Sequence, residues 1–190
     1  MRYKLKGNWK KGLAVDLHTL ASTYLGPNEY GHPQFDNTYS DMGKLVHRLK
    51  YDHDKSAIPE IIALLEPITG IENLDAIIPV PSSKARAKQP VDQIAKALGA
   101  QRGVPVLKGY LTKTGGAELK GIDDPAERAE ALAGTITITG KQDISGQRVL
   151  LLDDLYRSGA TLNACCSVLL KQAGIESVSV LTMTKTRSNR

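Results

Sequence analysis

Two adjacent carboxylates at the end of an apolar run are the residues best suited to chemistry in this chain. The segment VLLLDDLYRSGAT (149–161) places Asp153 and Asp154 directly after four apolar residues. Such a run predicts a strand that is buried on both faces. Ligands of open parallel sheets bind beyond the carboxyl ends of the strands, so we expect the acid pair to line a binding site.

The residues that follow the acid pair are suited to a phosphate group. Gly159 allows close approach of the backbone, and a helix predicted over 159–174 begins with unpaired amides and the positive end of its dipole. Ser158 and Thr161 add hydroxyl donors, and Arg157 adds a cation. Carboxylates accept hydrogen bonds from sugar hydroxyls and attract Mg²⁺. A ribose 5-phosphate would therefore satisfy both halves of the segment.

Two other interpretations of the acid pair are open. An apolar strand that ends in acids is also typical of the Mg²⁺-binding strand of P-loop NTPases, which requires a G-x-x-x-x-G-K-[ST] segment elsewhere. The nearest segment, GTITITGKQ (134–142), has five residues between its glycines and Gln142 where Ser or Thr is needed. The acids could also simply cap the following helix, although one aspartate would be enough for that purpose.

Length and composition restrict the classes of protein. A chain of 190 residues with 41% hydrophobic and 24% charged residues is typical of one globular domain. The aromatic share of 5% argues against a base-stacking surface, and the net charge of +5 fits an anionic small ligand or weak nucleic-acid contact. Cys165 and Cys166 are adjacent and read as small apolar residues of a helix. No signal sequence or membrane span is evident, so we expect a cytoplasmic protein.

Strand and helix patterns alternate along most of the chain, which predicts an α/β fold with a mostly parallel central sheet flanked by helices. A strand is predicted at 12–20, followed by a turn-rich stretch. The other predicted strands lie at 75–81, 104–110, 134–139, 148–154 and 177–184. Helices are predicted at 40–54, 56–69, 90–99 and 159–174. The connection between Tyr110 and Gly134 is long enough to be a lid or a binding loop.

With this order of strand, loop and helix, VLLLDDLYRSGAT resembles the motif that binds phosphoribosyl pyrophosphate (PRPP) in type I phosphoribosyltransferases. The resemblance implies that Asp153 and Asp154 bind the ribose hydroxyls. It also implies Mg²⁺ as the cofactor, bound through the substrate, with the two acids as candidate ligands. The loop that holds the 5-phosphate would be Arg157, Ser158, Gly159, Ala160 and Thr161. Arg157 stands where that family usually has Thr or Ser.

Three further segments resemble the competence protein F (ComF) branch of that family: GKLVHRLKYDHD (43–54), IIPVPSSKARAKQPVDQIAKAL (77–98) and AERAEALAGTITI (126–138). The similarity extends over roughly residues 43 to 187. The chain departs from the branch in three respects. Gln93 alone is kept from an Arg-Gly-Phe-Asn-Gln segment, Ala131 replaces an Asn, and the paired-cysteine zinc module is absent.

The resemblance also implies roles for two loops. Residues 81–88 would form the pyrophosphate loop, with Ser82, Ser83 and Lys84 near the leaving group. Residues 113–128 would form a mobile catalytic loop that keeps water from an activated ribosyl centre. Its candidate contacts to pyrophosphate are Lys113, Lys120 and Arg128. Each of these cations, and Arg86 and Lys88 beside them, could instead be an ordinary surface charge.

The resemblance implies residues 1–55 as an N-terminal hood and 56–190 as the phosphoribosyltransferase core, within one compact unit. We expect an enzyme that transfers ribose 5-phosphate from PRPP to an unidentified nitrogen acceptor. A non-catalytic sensor of PRPP or nucleotides, and an accessory factor in DNA uptake or repair, are the alternatives. No membrane contact is expected, and a homodimer is compatible with the resemblance. The four histidines lack metal-ligand spacing, although 15–24 could line the acceptor pocket.

Overall fold

Within the described residues, the chain has four strands, then two helices, and then a region in which strands and helices follow one another. The computed structural model describes residues 2–82, 89–114, 131–132 and 134–187. The strands are β1 (Tyr3–Lys4), β2 (Lys11–Leu17), β3 (Thr19–Pro27), β4 (Pro33–Tyr39), β5 (Ala76–Pro79), β6 (Leu111–Lys113), β7 (Ile136–Ile138), β8 (Arg148–Tyr156) and β9 (Ser177–Lys185). The helices are α1 (Asp41–Tyr51), α2 (Ala57–Leu65), α3 (Pro90–Arg102) and α4 (Ala160–Gln172), with a short 3-10 helix at Ile71–Asn73.

The central sheet contains five strands in the order β1, β2, β9, β8, β5. Strands β2, β9, β8 and β5 are parallel, and only β1 is antiparallel to its neighbour. The predicted α/β fold with a mostly parallel sheet is therefore confirmed. Strands β3 and β4 form a separate hairpin, and β6 and β7 form another two-stranded sheet.

Both faces of the central sheet are covered, as the continuous apolar run in β8 predicts. Val149 and Leu151 pack with the α4 residues Cys165 and Leu169 in one core. On the other face, Leu150 and Leu152 pack in a second core with the buried side chains of α1, α2 and α3. Cys165 and Cys166 are fully buried in the structure, and burial raises the pKa of the Cys166 thiol to about 12. Alternate residues of β8 thus belong to different layers.

Two predicted elements in the middle of the chain differ from the structure. The predicted strand at 104–110 is reduced to one parallel bridge between Ile77 and Val106. The helix predicted to stop at Gly99 continues to Arg102, where Gly103 ends it in the left-handed conformation with φ 68°. Gly99 is needed for close packing instead, because a Cβ there would lie 2.5 Å from Val106 Cγ2.

The N-terminal region also differs from its predicted elements. The strand predicted at 12–20 is divided between β2 and β3, and the turn-rich stretch after it forms the β3–β4 hairpin. Strand β2 lies in the central sheet beside β9. The boundary between a hood and a core at residue 55 stays a prediction. No helix within the described ranges has both the length and the apolar character needed to cross a bilayer.

Helix α1 is fixed against the end of β2. The side chain of Ser40 accepts a hydrogen bond from Gly43 N at 2.9 Å and donates one to the carbonyl of Leu17. Gly43 lies so close to the carbonyl of His18 that a Cβ at this position would overlap it. The start of α1 therefore depends on a residue without a side chain.

We expect Gly43→Ala to displace α1 from the sheet, because neither the helix nor the backbone of His18 can yield freely. The expected cost in free energy of unfolding is about 1–3 kcal/mol, typical of overpacking. Urea unfolding measures it. Gly134→Ala is the matched control, since no atom lies within 4 Å of a Cβ there. Equal stability of the two variants would contradict the close packing of α1.

Candidate functional site

The acid pair lies near the carboxyl end of β8, and Asp154 is two residues before the strand ends at Tyr156. Asp153 is paired in register with Thr182 of β9, and Leu155 is paired with Thr184. Consecutive residues of a strand point to opposite faces of the sheet. Asp153 therefore continues the face that packs against α4, and Asp154 continues the face that packs against α1. The two carboxylates leave the strand on different sides.

Asp154 is held by a cation from α1. Lys50 Nζ donates a hydrogen bond to Asp154 Oδ2 at 2.7 Å, and the side chains of this ion pair are only 25% and 12% exposed. Thr184 Oγ1 donates to the backbone carbonyl of Asp154 at 3.0 Å. The sequence predicted a contact between this carboxylate and the ribose hydroxyls. The structure gives Asp154 an internal partner as well.

Asp153 is partly buried and lies in a different electrostatic environment. Its Oδ1 accepts a hydrogen bond from the amide of Asp154 at 2.8 Å. Burial, and next the negative charge of Asp154, raise the pKa of Asp153 to about 7. Lys50 and Lys113 oppose this rise more weakly. Asp153 therefore holds its proton to a much higher pH than an exposed aspartate does.

The raised pKa of Asp153 predicts a dependence of stability on pH. Because the folded state binds this proton more tightly than the unfolded chain, the stability contribution is present below pH 3.8 and is lost as the pH rises through 7. As the pH rises from about 4 to about 8, we expect the free energy of unfolding of Asp153→Asn to increase by about 2–4 kcal/mol relative to that of the natural protein. Urea unfolding over this range measures the difference. A difference that stays constant with pH would contradict the assignment.

Two adjoining cavities run along the carboxyl edge of the sheet. The first, of about 190 Å³, is lined by Lys50, Val80, Pro81, Ser82, Gln89, Pro90, Val91, Asp153, Asp154 and Thr161. The second, of about 400 Å³, shares Val80, Pro81, Ser82 and Gln89 with the first and extends to Lys108 and Lys113. The structure thus brings both acids, Thr161, Ser82 and Lys113 to one groove.

The start of α4 is open to solvent beside the acid pair. Gly159 precedes the helix with φ 79°, a left-handed conformation that favours glycine, and within the described chain no side chain caps the helix. Ser158 Oγ makes only a long contact of 3.4 Å to Ala160 N. Arg157, Ser158 and Ala160 are exposed. First-turn amides lack acceptors inside a helix, so this corner can receive an anion.

A row of aromatic rings begins at His18, which contacts Thr184 on the strand beside the acid pair. His18 lies edge-on to Tyr39 with ring centroids 5.4 Å apart, and Tyr39, His47 and Tyr51 continue the row at 5.1 and 4.8 Å. Thr184 Oγ1 donates its single proton to the backbone carbonyl of Asp154. His18 Nδ1 is therefore the donor in the 3.2 Å contact between His18 and Thr184 Oγ1. Burial lowers the pKa of His18, against the opposing effect of Asp154.

The structure describes some of the predicted site residues and not others. Asp153, Asp154, Ser82, Lys113 and the loop from Arg157 to Thr161 border the groove or its rim as described above. The predicted residues that lie outside the described ranges are Ser83, Lys84, Arg86, Lys88, Lys120 and Arg128.

Sequence reasoning missed Lys50 as a member of the site. It lies within the Leu-Lys-Tyr of the segment 43–54, and no local feature indicated where its side chain would point. Its carboxylate partner is 104 residues away in the chain. The signal that could have indicated it was that short motif, taken together with the packing of α1 on the face of the sheet to which Asp154 belongs.

The chain is similar to a known protein family in sequence and to solved structures in fold. Residues 63–190 match the family model described as the phosphoribosyl transferase domain. No curated protein sequence matches the chain.

Solved structures with a similar fold include adenine phosphoribosyltransferase from Thermoanaerobacter pseudethanolicus, at 18% identity over 86% of this chain and 83% of that chain, with a TM-score of 0.49. The hypoxanthine phosphoribosyltransferase of Trypanosoma cruzi is 14% identical over 78% and 71%, with a TM-score of 0.42. A hypothetical protein from Neisseria gonorrhoeae with bound ppGpp is 19% identical over 69% and 68%, with a TM-score of 0.42.

Proposed function

The chain belongs to the phosphoribosyl transferase domain family, and from its site we propose that it transfers ribose 5-phosphate from PRPP to a nitrogen acceptor with release of pyrophosphate. One observation carries the proposal. The acid pair and the open start of α4 meet at a single cavity that Asp153, Asp154 and Thr161 line together. One end of this site suits sugar hydroxyls and the other suits a phosphate.

In this proposal each part of the donor has its own partners. The carboxylates of Asp153 and Asp154 accept hydrogen bonds from the ribose hydroxyls. The amides at the start of α4, with Arg157, Ser158 and Thr161, hold the 5-phosphate. The pyrophosphate lies toward Ser82 and Lys113, in the larger of the two cavities. The donor is thereby held at both ends of its ribose ring.

The chemical step needs positioning and charge neutralisation more than acid–base catalysis. The acceptor nitrogen attacks the anomeric carbon while the bond to pyrophosphate breaks, through a transition state with oxocarbenium character. Lys113 supplies positive charge toward the leaving group, and the sheet edge fixes the ribose relative to the acceptor. A bound Mg²⁺ would neutralise pyrophosphate oxygens, and the carboxylates nearest to it would be Asp153 and Asp154.

The acceptor is proposed to lie on the N-terminal side of the ribose. His18, at the start of the β3–β4 hairpin, sits within electrostatic reach of Asp154, Lys50 and Arg157. This placement supports the expectation that residues 15–24 line the acceptor pocket. The ComF-like branch also belongs to this proposal, and the position of Lys50, within the 43–54 segment that resembles that branch, supports it. A homodimer and a cytoplasmic location, both compatible with the family resemblance, are part of the same proposal.

Release of pyrophosphate from PRPP tests the proposal. We would screen purine and pyrimidine bases and simple amines with Mg²⁺ present and measure pyrophosphate by a coupled assay. Turnover with any acceptor supports an enzyme. PRPP binding without turnover on every acceptor favours the sensor, and absence of PRPP binding rejects both. Strongly salt-dependent binding to single-stranded DNA would instead support the accessory role in DNA uptake or repair.

A further inference from the structure

The cation on Asp154 is delivered by a rigid part of the fold. Lys50 is in the last turn of α1, a helix whose Met42, Leu45, Val46 and Leu49 are all buried. The start of the same helix is fixed by Ser40 and by the contact of Gly43 with His18. Lys44, on an exposed face of α1, has a side chain 62% exposed and reaches Asp41 only at 4.0 Å. Lys50 thus differs from an ordinary surface lysine in both burial and partner distance.

The position of Lys50 affects what else can bind Asp154. A hard divalent cation needs several oxygen ligands, and Asp154 Oδ2 already accepts from an ammonium group at 2.7 Å. An ion at the same carboxylate would meet the charge of Lys50 at close range, in a site with little solvent to screen it. Sugar hydroxyls are neutral donors, and they can use the remaining lone pairs of the carboxylate without this repulsion.

Other charges around the pair do not replace Lys50. Asp153 on the same strand is partly buried. Arg157 is near enough to His18 to lower the pKa of its ring, and the charge of Asp154 raises that pKa. Lys113 approaches from β6 on the Asp153 side. Of these groups, Lys50 is the one with a described hydrogen bond to a carboxylate oxygen of the acid pair.

We propose that Lys50 is the resident counter-ion of the acid pair: it excludes a directly bound divalent cation from Asp154 and leaves that carboxylate to receive sugar hydroxyls. The second half of this statement rests on the proposed function, and the first half does not. On this view Mg²⁺ enters with the pyrophosphate of the substrate. Of the two roles expected for Asp154 from the sequence, direct binding of Mg²⁺ is thereby excluded and contact with the ribose remains.

The test of the first half uses Mn²⁺ alone, followed by electron paramagnetic resonance and calorimetry. We expect no Mn²⁺ site at the acid pair of the natural protein, and a new site in Lys50→Met with a dissociation constant on the order of 0.1–1 mM. Lys50→Met with Asp154→Asn should lose that site. Lys50→Arg, which keeps the charge, and Lys44→Met, on the same helix, should not gain one.

The test of the second half uses ribose 5-phosphate with a chelator present. We expect the natural protein to bind it equally well with and without Mg²⁺. Lys50→Met should bind it about tenfold more weakly or worse, because the charge of Asp154 then faces an anionic ligand without the ammonium of Lys50. Lys50→Arg should restore most of the affinity. Circular dichroism of each variant checks that it is folded.

Each result has a definite meaning. A Mn²⁺ site in the natural protein that Asp154→Asn removes would overturn the proposal, and so would a folded Lys50→Met variant that gains no site. If Lys50→Met gains the Mn²⁺ site but the natural protein binds neither ribose 5-phosphate nor PRPP, the counter-ion role stands and the proposed function fails. If the natural protein binds ribose 5-phosphate and PRPP, and Lys50→Met leaves the affinity for ribose 5-phosphate unchanged, the proposed role of Lys50 toward the sugar fails.

Discussion

Replacement of Asp154 with Asn is expected to reduce PRPP-dependent pyrophosphate release about 100-fold or more, a loss typical of a charged group that acts in the transition state. The amide lacks the charge and one acceptor oxygen that a ribose hydroxyl would use. It also removes the negative charge that the largely buried ammonium of Lys50 contacts. The measurement is the rate of pyrophosphate release at saturating PRPP with the best acceptor from the screen.

The control for Asp154→Asn is Asp75→Asn, at the opposite end of the same sheet. Asp75 also forms an ion pair, with Arg148 at 3.3 Å, but it lies at the amino end of β5. We expect Asp75→Asn to keep its activity. Unfolding curves for both variants separate loss of the site from loss of the fold. A fully active, folded Asp154→Asn protein would remove the acid pair from the mechanism.

Replacement of Gly159 with Ala is expected to weaken ribose 5-phosphate binding about 100-fold, the equivalent of about 3 kcal/mol. Two effects act together at this position. The backbone has φ 79°, which a residue with a side chain adopts at a cost, and a new Cβ would lie 2.8 Å from the ring of Tyr156. The loop has to shift, and the amides at the start of α4 then no longer converge on one phosphate.

Gly146→Ala separates the two effects in Gly159→Ala. Gly146 has a similar φ of 71°, but no atom lies within 4 Å of a Cβ there. It precedes β8, at the end of the strand away from the site. Both variants should lose about 1 kcal/mol of stability to backbone strain, and only Gly159→Ala should lose affinity for the sugar phosphate. Equal affinities in calorimetry would show that the loop does not hold the phosphate.

Most elements of the central sheet could be predicted because they have a local signal, whereas the two-residue strand β1 was not predicted. The continuous apolar run in β8 requires two covered faces, and Pro90 and Ser40 mark the starts of their helices. The failures occurred where a distant contact decides the conformation. Gly99 looks like a helix end, yet its role is to let Val106 approach. The glycines and prolines of the β3–β4 hairpin led to the prediction of a turn-rich stretch instead of two strands, because turn residues there lie close to strand residues.

The candidate site could be predicted as far as it is contiguous in sequence. Asp153, Asp154 and the loop up to Thr161 lie within nine residues, so their types and order carried the inference. Lys50 and His18 reach the surroundings of Asp154 only through tertiary packing. No spacing rule connects residues that are brought together by tertiary structure alone, and the aromatic row that begins at His18 was missed for the same reason.

The placement of the two acids on opposite faces of β8 has a consequence for quality control of the chain. Asp153 is positioned by the layer that contains α4, and Asp154 by the layer that contains α1, with β9 beside both. A molecule truncated before β9, or with either layer unpacked, would retain at most one correctly placed carboxylate of the proposed sugar-phosphate site. A resin carrying immobilised sugar phosphate should therefore retain native molecules and pass incomplete ones, and excess free ligand should raise the melting temperature by mass action.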